Sequence, residues 1–148
     1  MKNIEYALDI LGYYGPIIIA CIVGIVLWKR PKYLFLYIIF LLANNEFNKI
    51  LKLIFREERP ENPISFLQIE KYKGVQAYGM PSGHAQSVGY SCIFLYLLTG
   101  LSYWLYIAIF IALLTCIQRW KYRRHTIEQI VVGFLVGIIV AYSIVYWI

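Results

Sequence analysis

The stretch "HTIEQIVVGFLVGIIVAYSIVYWI", residues 125–148, is apolar along almost its whole length. Between Ile127 and Trp147 the only charged residue is Glu128, and the run has the length of about 20 residues that a helix needs to cross a bilayer. Counting in fours from the histidine gives His125, Gln129, Gly133, Gly137 and Ala141. Residues four apart share one face of a helix, so Gln129 lies within hydrogen-bonding reach of the imidazole. The three small residues beyond it form a ridge of the kind that lets helices approach closely in a membrane. That face therefore points into a bundle and not into lipid.

The rest of the chain agrees. Of its 148 residues, 61% are hydrophobic and 15% charged, with mean hydropathy +0.64, against about 45–50% and 25% in soluble domains. Five apolar segments, approximately 10–28, 33–55, 84–99, 102–118 and 127–147, predict an all-α, polytopic membrane helix bundle of about five transmembrane helices. Residues 1–148 read as a single domain. The formal charge of +6 sits in clusters, which fits membrane topology and anionic lipid, and a chain this apolar is no nucleic-acid binder. Cys21, Cys92 and Cys116 lie in apolar runs without metal-ligand spacing. The first apolar run, preceded by acidic residues and no small-residue cleavage site, reads as a retained anchor.

With five spans, the N-terminus, the 56–83 link and the 119–126 link fall on one membrane face. Eleven of the 14 Lys and Arg lie on that face and three on the other, which by charge alone places the first face in the cytoplasm. The 56–83 link is longer than connections usually are, and Phe66, Leu67 and Ile69 place part of it on the membrane surface.

Three groups of polar residues meet on this face. In "NNEFNKILKLIFREERP", Asn45, Asn48, Lys52, Arg56 and Arg59 recur at spacings of 3, 4, 4 and 3, as one stripe of a helix that Pro60 ends. On that reading Lys52 and Arg59 lie about 10 Å apart along the axis. In "YGMPSGHAQSV", residues 78–88, Ser82 is an N-cap and Gly83 opens a helix N-terminus, a natural anion site; His84, Ser87 and Ser91 continue its polar face. In "QRWKYRRH", Arg119 ends the fourth span and His125 precedes the fifth. Taken singly, these are snorkelling cations, a capped helix and a basic loop. Together, three cations, a glycine-bearing helix start and both histidines of the chain describe a pocket for phosphoryl transfer without metal. One histidine attacks phosphorus and the other protonates the leaving oxygen. The carboxylates show no cluster for two metal ions, and no cofactor is implied.

Lys52-x6-Arg59-Pro60, Pro81-Ser82-Gly83-His84 and Arg119-x5-His125 resemble the three-part signature of the type 2 phosphatidic acid phosphatase and vanadium haloperoxidase superfamily, over roughly residues 45–142. The resemblance implies that His125 is the nucleophile of a phosphohistidine intermediate and His84 the acid–base residue. Lys52, Ser82, Gly83, Arg59 and Arg119 would hold the phosphate oxygens. Two positions depart from the general pattern: Gln118 stands where a serine commonly precedes the arginine, and Gln129 where an aspartate usually follows the histidine. "GMPSGHAQ" with "HTIEQIVVG" looks like the dolichyl-diphosphate phosphatase branch, which usually has serine in place of Gly83. That likeness implies a lipid phosphate or diphosphate substrate drawn from the surrounding membrane lipids, and a lumenal or extracytoplasmic site. The resemblance to the superfamily as a whole implies a core of six spans, the one not visible here being N-terminal. Lys121, Arg123 and Arg124 stand close enough in sequence to receive a leaving phosphate. A catalytically silent lipid-phosphate-binding or scaffold protein is the alternative of another class.

Overall fold

The computed structural model describes residues 2–67 and 72–147. Ile69, expected on the membrane surface, lies outside them. Six α-helices follow in chain order: α1 (Lys2–Tyr13), α2 (Gly15–Leu27), α3 (Pro31–Phe55), α4 (Gly83–Thr99), α5 (Tyr103–Lys121) and α6 (Ile127–Tyr146), with a short 3-10 turn at Gly74–Ala77. Among the described residues, the sole strand-like pairing is an isolated bridge between Glu58 and Tyr78.

The helix α4 is the centre of the bundle. Residues Ala85 to Cys92 are buried without interruption, so no face of these turns is left for lipid. The expected small-residue ridge of α6 lies against it. A Cβ on Gly133 would stand 2.5 Å from the Ser82 carbonyl oxygen, and one on Gly137 would meet the Gln86 carbonyl. In return Gly89 of α4 admits the Phe134 carbonyl. Only glycine permits two backbones this close. On the opposite side, amides tie α3 to α4. Asn48 Nδ2 donates to Gln86 Oε1 at 2.7 Å, and Gln86 Nε2 donates to Asn44 Oδ1 at 2.8 Å. Deeper in the bundle Tyr37, Tyr90 and Phe94 pack ring on ring, and the Tyr37 hydroxyl meets Ser91 Oγ at 2.8 Å.

Three helices, α3, α5 and α6, are long and apolar enough to cross a membrane, and the α1–α2 pair is a fourth if counted as one span. This is fewer than the five expected, and two features account for it. The helix α4 has 17 residues, at the short limit for a span, and polar side chains fill its first turns. The expected first span, 10–28, is broken: α1 and α2 meet at 65°. Pro16 offers no N–H to continue the helical ladder, and Gly12 and Gly15 fit against the Leu114 carbonyl and the Thr115 side chain of α5. Lys121 Nζ holds α1 in place through Glu5 Oε1 and Asp9 Oδ2, each at 2.7 Å, and the Tyr122 hydroxyl donates to Asp9 at 2.9 Å.

The polar stripe of α3 also ends earlier than expected. Asn48 and Lys52 are buried, but the helix stops at Phe55. Arg56 adopts the left-handed conformation (φ 49°), and its N–H caps the Lys52 carbonyl. The chain then turns back to form the Glu58–Tyr78 bridge, so Arg59 reaches the site from a loop and not from the helix face.

Candidate active site

The C-terminal ends of α3 and α5 and the N-terminal ends of α4 and α6 lie at one end of the bundle, and the histidines and most of the cations gather there. His125 sits just before α6, whose N-cap Thr126 and third helical residue Gln129 form a capping box. The imidazole is 4% exposed. Its Nδ1 lies 2.9 Å from the Gly79 carbonyl oxygen and 3.2 Å from Gln129 Oε1. Both partners can only accept, so Nδ1 carries the proton. That leaves Nε2 as the lone-pair nitrogen, and Arg59 Nη1 donates to it at 3.1 Å. Burial, then the charge of Arg59, with Lys52, His84 and Arg119 behind it, hold this imidazole well below the usual histidine range. A neutral imidazole with a directed Nε2 lone pair is what nucleophilic attack requires.

The positions singled out from sequence fall as follows. Arg59 spreads its guanidinium over three acceptors: Nε and Nη2 donate to the Gln76 carbonyl at 3.1 and 3.0 Å, and Nη1 to the Arg124 carbonyl at 2.7 Å as well as to His125. Its plane lies 3.9 Å from the Tyr72 ring. Lys52 Nζ, buried, donates to the Tyr78 carbonyl at 2.6 Å. Ser82 caps α4, and its N–H donates to the Gln129 carbonyl at 2.9 Å, which fixes the start of α4 to the start of α6. Gly83 faces Asn48 Oδ1, and a Cβ there would come to 3.2 Å from it. His84 stands at the head of α4 with its ring 6.0 Å from that of Tyr13. Arg119 is buried. Gln118 Oε1 accepts from its Nε at 2.7 Å, and the Tyr13 ring lies 5.0 Å from its guanidinium.

Of the three basic residues expected to receive a leaving phosphate, Lys121 is occupied by Glu5 and Asp9 and faces α1 instead. Arg123 lines a cleft of about 420 Å³ beside His125, with Pro60, Trp120 and Ile127 among its walls. Arg124 is buried, with its guanidinium 4.7 Å from the Tyr72 ring. Among the described residues, no three His, Cys, Asp or Glu side chains are grouped to hold a metal ion.

Two further residues of this cluster were not read from the sequence. Tyr13 comes from a helix far from the motifs and borders both Arg119 and His84. Gly79 supplies the carbonyl that fixes the His125 tautomer. A Cβ at Gly79 would overlap the Gln129 amide, reaching 2.6 Å from its Cδ and Nε2. Gly79→Ala should therefore push Gln129 off His125 and turn the ring. We expect kcat to fall by about 100-fold, the effect of a misplacement of order 1 Å, while the protein still purifies as a folded membrane protein. Unchanged turnover would mean that the Gly79 carbonyl does not set the ring.

The molecule is thus an all-helical membrane bundle that gathers both histidines and several cations at one end. Residues 32–148 match the PAP2 superfamily, and the chain belongs to it. No curated protein sequence matches the chain significantly. The fold is similar to that of a transmembrane PAP2-type phosphatidylglycerolphosphate phosphatase from Bacillus subtilis, with TM-score 0.73 at 18% sequence identity, over 99% of this chain and 77% of that one. Family and fold together support an integral membrane lipid phosphatase.

Proposed function

We propose that this protein is a metal-independent lipid phosphatase that hydrolyses a polyisoprenyl, dolichyl-type diphosphate or a related lipid phosphate through a phosphohistidine at His125. The observation that carries this reading is the His125 tautomer: Nδ1–H is held by Gly79 and Gln129, and the Nε2 lone pair meets the Arg59 guanidinium. When phosphate enters, Arg59 has the geometry to exchange acceptors and hold phosphate oxygens beside Nε2. The Nε2 lone pair forms a bond to the terminal phosphorus as that phosphorus loses its bond to the leaving oxygen. The electron pair departs with the lipid monophosphate of a diphosphate or the lipid alcohol of a monophosphate. His84, which takes up a proton once the phosphate's negative charge offsets the surrounding cations, supplies that proton to the leaving oxygen. Water, deprotonated by His84, then cleaves the N–P bond and releases phosphate. Lys52, Arg119, the Ser82 hydroxyl and the Gly83 backbone N–H at the α4 N-terminus balance the charge of the transferring group.

The site lies at the end of apolar helices, so a lipid can keep its chains in the bilayer and raise only its head group. We take this face as extracytoplasmic, as likeness to the dolichyl-diphosphate phosphatase branch implies, although the count of Lys and Arg favours the cytoplasm. The test is phosphate release by the purified protein in EDTA. The panel would hold a polyprenyl diphosphate, phosphatidic acid, phosphatidylglycerolphosphate and a water-soluble phosphomonoester. We expect the diphosphate to be hydrolysed fastest and the soluble ester by far the slowest. Preference for one of the phospholipids would remove the dolichyl-type assignment and leave the phosphatase. No turnover of any substrate, with phosphate lipids still bound, would favour the silent binding protein. Turnover that stops in EDTA and returns with magnesium would overturn the metal-free mechanism.

A further inference from the structure

The amide of Gln129 does not end at His125. Its Oε1 faces Nδ1 of the imidazole, and its Nε2 donates to Glu57 Oε1 at 2.7 Å and to the Glu58 carbonyl at 2.8 Å. The same short segment holds the other partner of Nδ1: the Glu57 carbonyl accepts the Gly79 N–H at 2.7 Å, next to the Glu58–Tyr78 bridge. Residues 57 and 58 thus control both acceptors of the His125 proton. A carboxylate hydrogen-bonded to one end of an amide draws charge toward the carbonyl at the other end, because hydrogen bonds in a chain polarise one another. Hydrogen bonds with an ionised partner are also the stronger ones.

We propose that Glu57 is a positioning residue for His125, acting through Gln129 to orient the imidazole and to balance the positive charge it gains when Nε2 bonds to phosphorus. The inference rests on His125 being the nucleophile. No proton travels along this path, since a neutral amide donates and accepts but does not relay. The charges otherwise bearing on His125 are Arg59, Lys52, His84 and Arg119, all of which oppose a cationic ring. Glu61, Arg123 and Glu128 line the outer cleft with it. Glu57 therefore adds negative charge where the surrounding cations make a phosphorylated imidazole costly.

Glu57→Gln keeps the shape of an exposed side chain and removes its charge. Outer partners that orient metal-bound histidines are commonly worth about 10- to 100-fold, and an effect of the same order is expected for a nucleophilic imidazole. We expect a loss in kcat of about tenfold, with KM within about twofold, because Gly79 still holds Nδ1. In a Gln129→Leu background the same change should cost nothing further, since the link is already cut. Gln129→Asp, which places a carboxylate directly on the ring, should restore kcat in the Glu57→Gln protein. A readout independent of turnover is available because the chain has two histidines. In His84→Gln protein labelled with ¹⁵N-histidine, the Nδ1 resonance of His125 should move when Glu57→Gln is added. An unmoved resonance, additive losses in the double variant, or no rescue by Gln129→Asp would each overturn the proposal. Turnover by His125→Ala would sink the phosphatase reading itself, whereas full activity of Glu57→Gln beside an inactive His125→Ala sinks only the role of Glu57.

Discussion

His125→Ala should abolish phosphate release and with it any acid-labile phosphoprotein trapped during turnover. Loss of a nucleophile that acts as a unit with its partners costs the whole of the covalent route, about 10⁴-fold or more in kcat. The fold should survive the change. The α6 helix begins at its own Thr126–Gln129 capping box, and the α4–α6 contact is made by Ser82, Gly133 and Gly137, none of which uses the imidazole. Purified variant with wild-type helicity but no phosphoenzyme is the expected result. Phosphate release at the wild-type rate would show that another group attacks phosphorus.

Arg59→Ala should have the second largest effect. Arg59 is the cation in direct hydrogen-bond contact with the Nε2 that would attack, so its removal takes charge stabilisation from the reacting atoms themselves. A donor aimed at developing charge in a closed site is worth about 10²–10³ in kcat. Arg59→Lys should recover little, because one ammonium cannot reproduce the guanidinium fork that now spans the Gln76 carbonyl, the Arg124 carbonyl and His125. Binding of vanadate, as a mimic of five-coordinate phosphorus, should weaken in parallel with kcat. A variant that loses kcat yet binds vanadate as tightly as the parent would assign Arg59 to ordering the 56–83 link rather than to the phosphoryl group.

The parts of this site that could be read in advance are those set by local periodicity. Gln129 lies four residues beyond His125, and helix geometry alone brings their side chains together. The row of Gly133, Gly137 and Ala141 likewise needed only a count in fours. Ser82 announced its cap by residue type. What could not be read depends on how separate segments meet. The turn at Arg56 takes Arg59 off the helix stripe, because the left-handed residue follows Phe55 with no glycine to mark it. Lys121 sits among basic residues in sequence, yet two carboxylates more than a hundred positions away claim it. Nothing in "REERP" shows that Glu57 meets Gln129, since the link between them folds back through a single bridge. The break at Tyr14 was hidden because the apolar run continues on both sides of it.

The aromatic ring of Tyr13 has a consequence for where this protein can be cut. The region shared with the superfamily starts at residue 32, and every motif residue lies after it. Yet Tyr13 walls the site beside Arg119 and His84, and its helix is latched to the end of α5 by Lys121. A fragment trimmed to the family boundary would keep every signature residue and still lose one side of its pocket, together with the α2 packing that buries Ile19, Val23 and Leu27. The unit that packs together here is larger than the unit of sequence kinship.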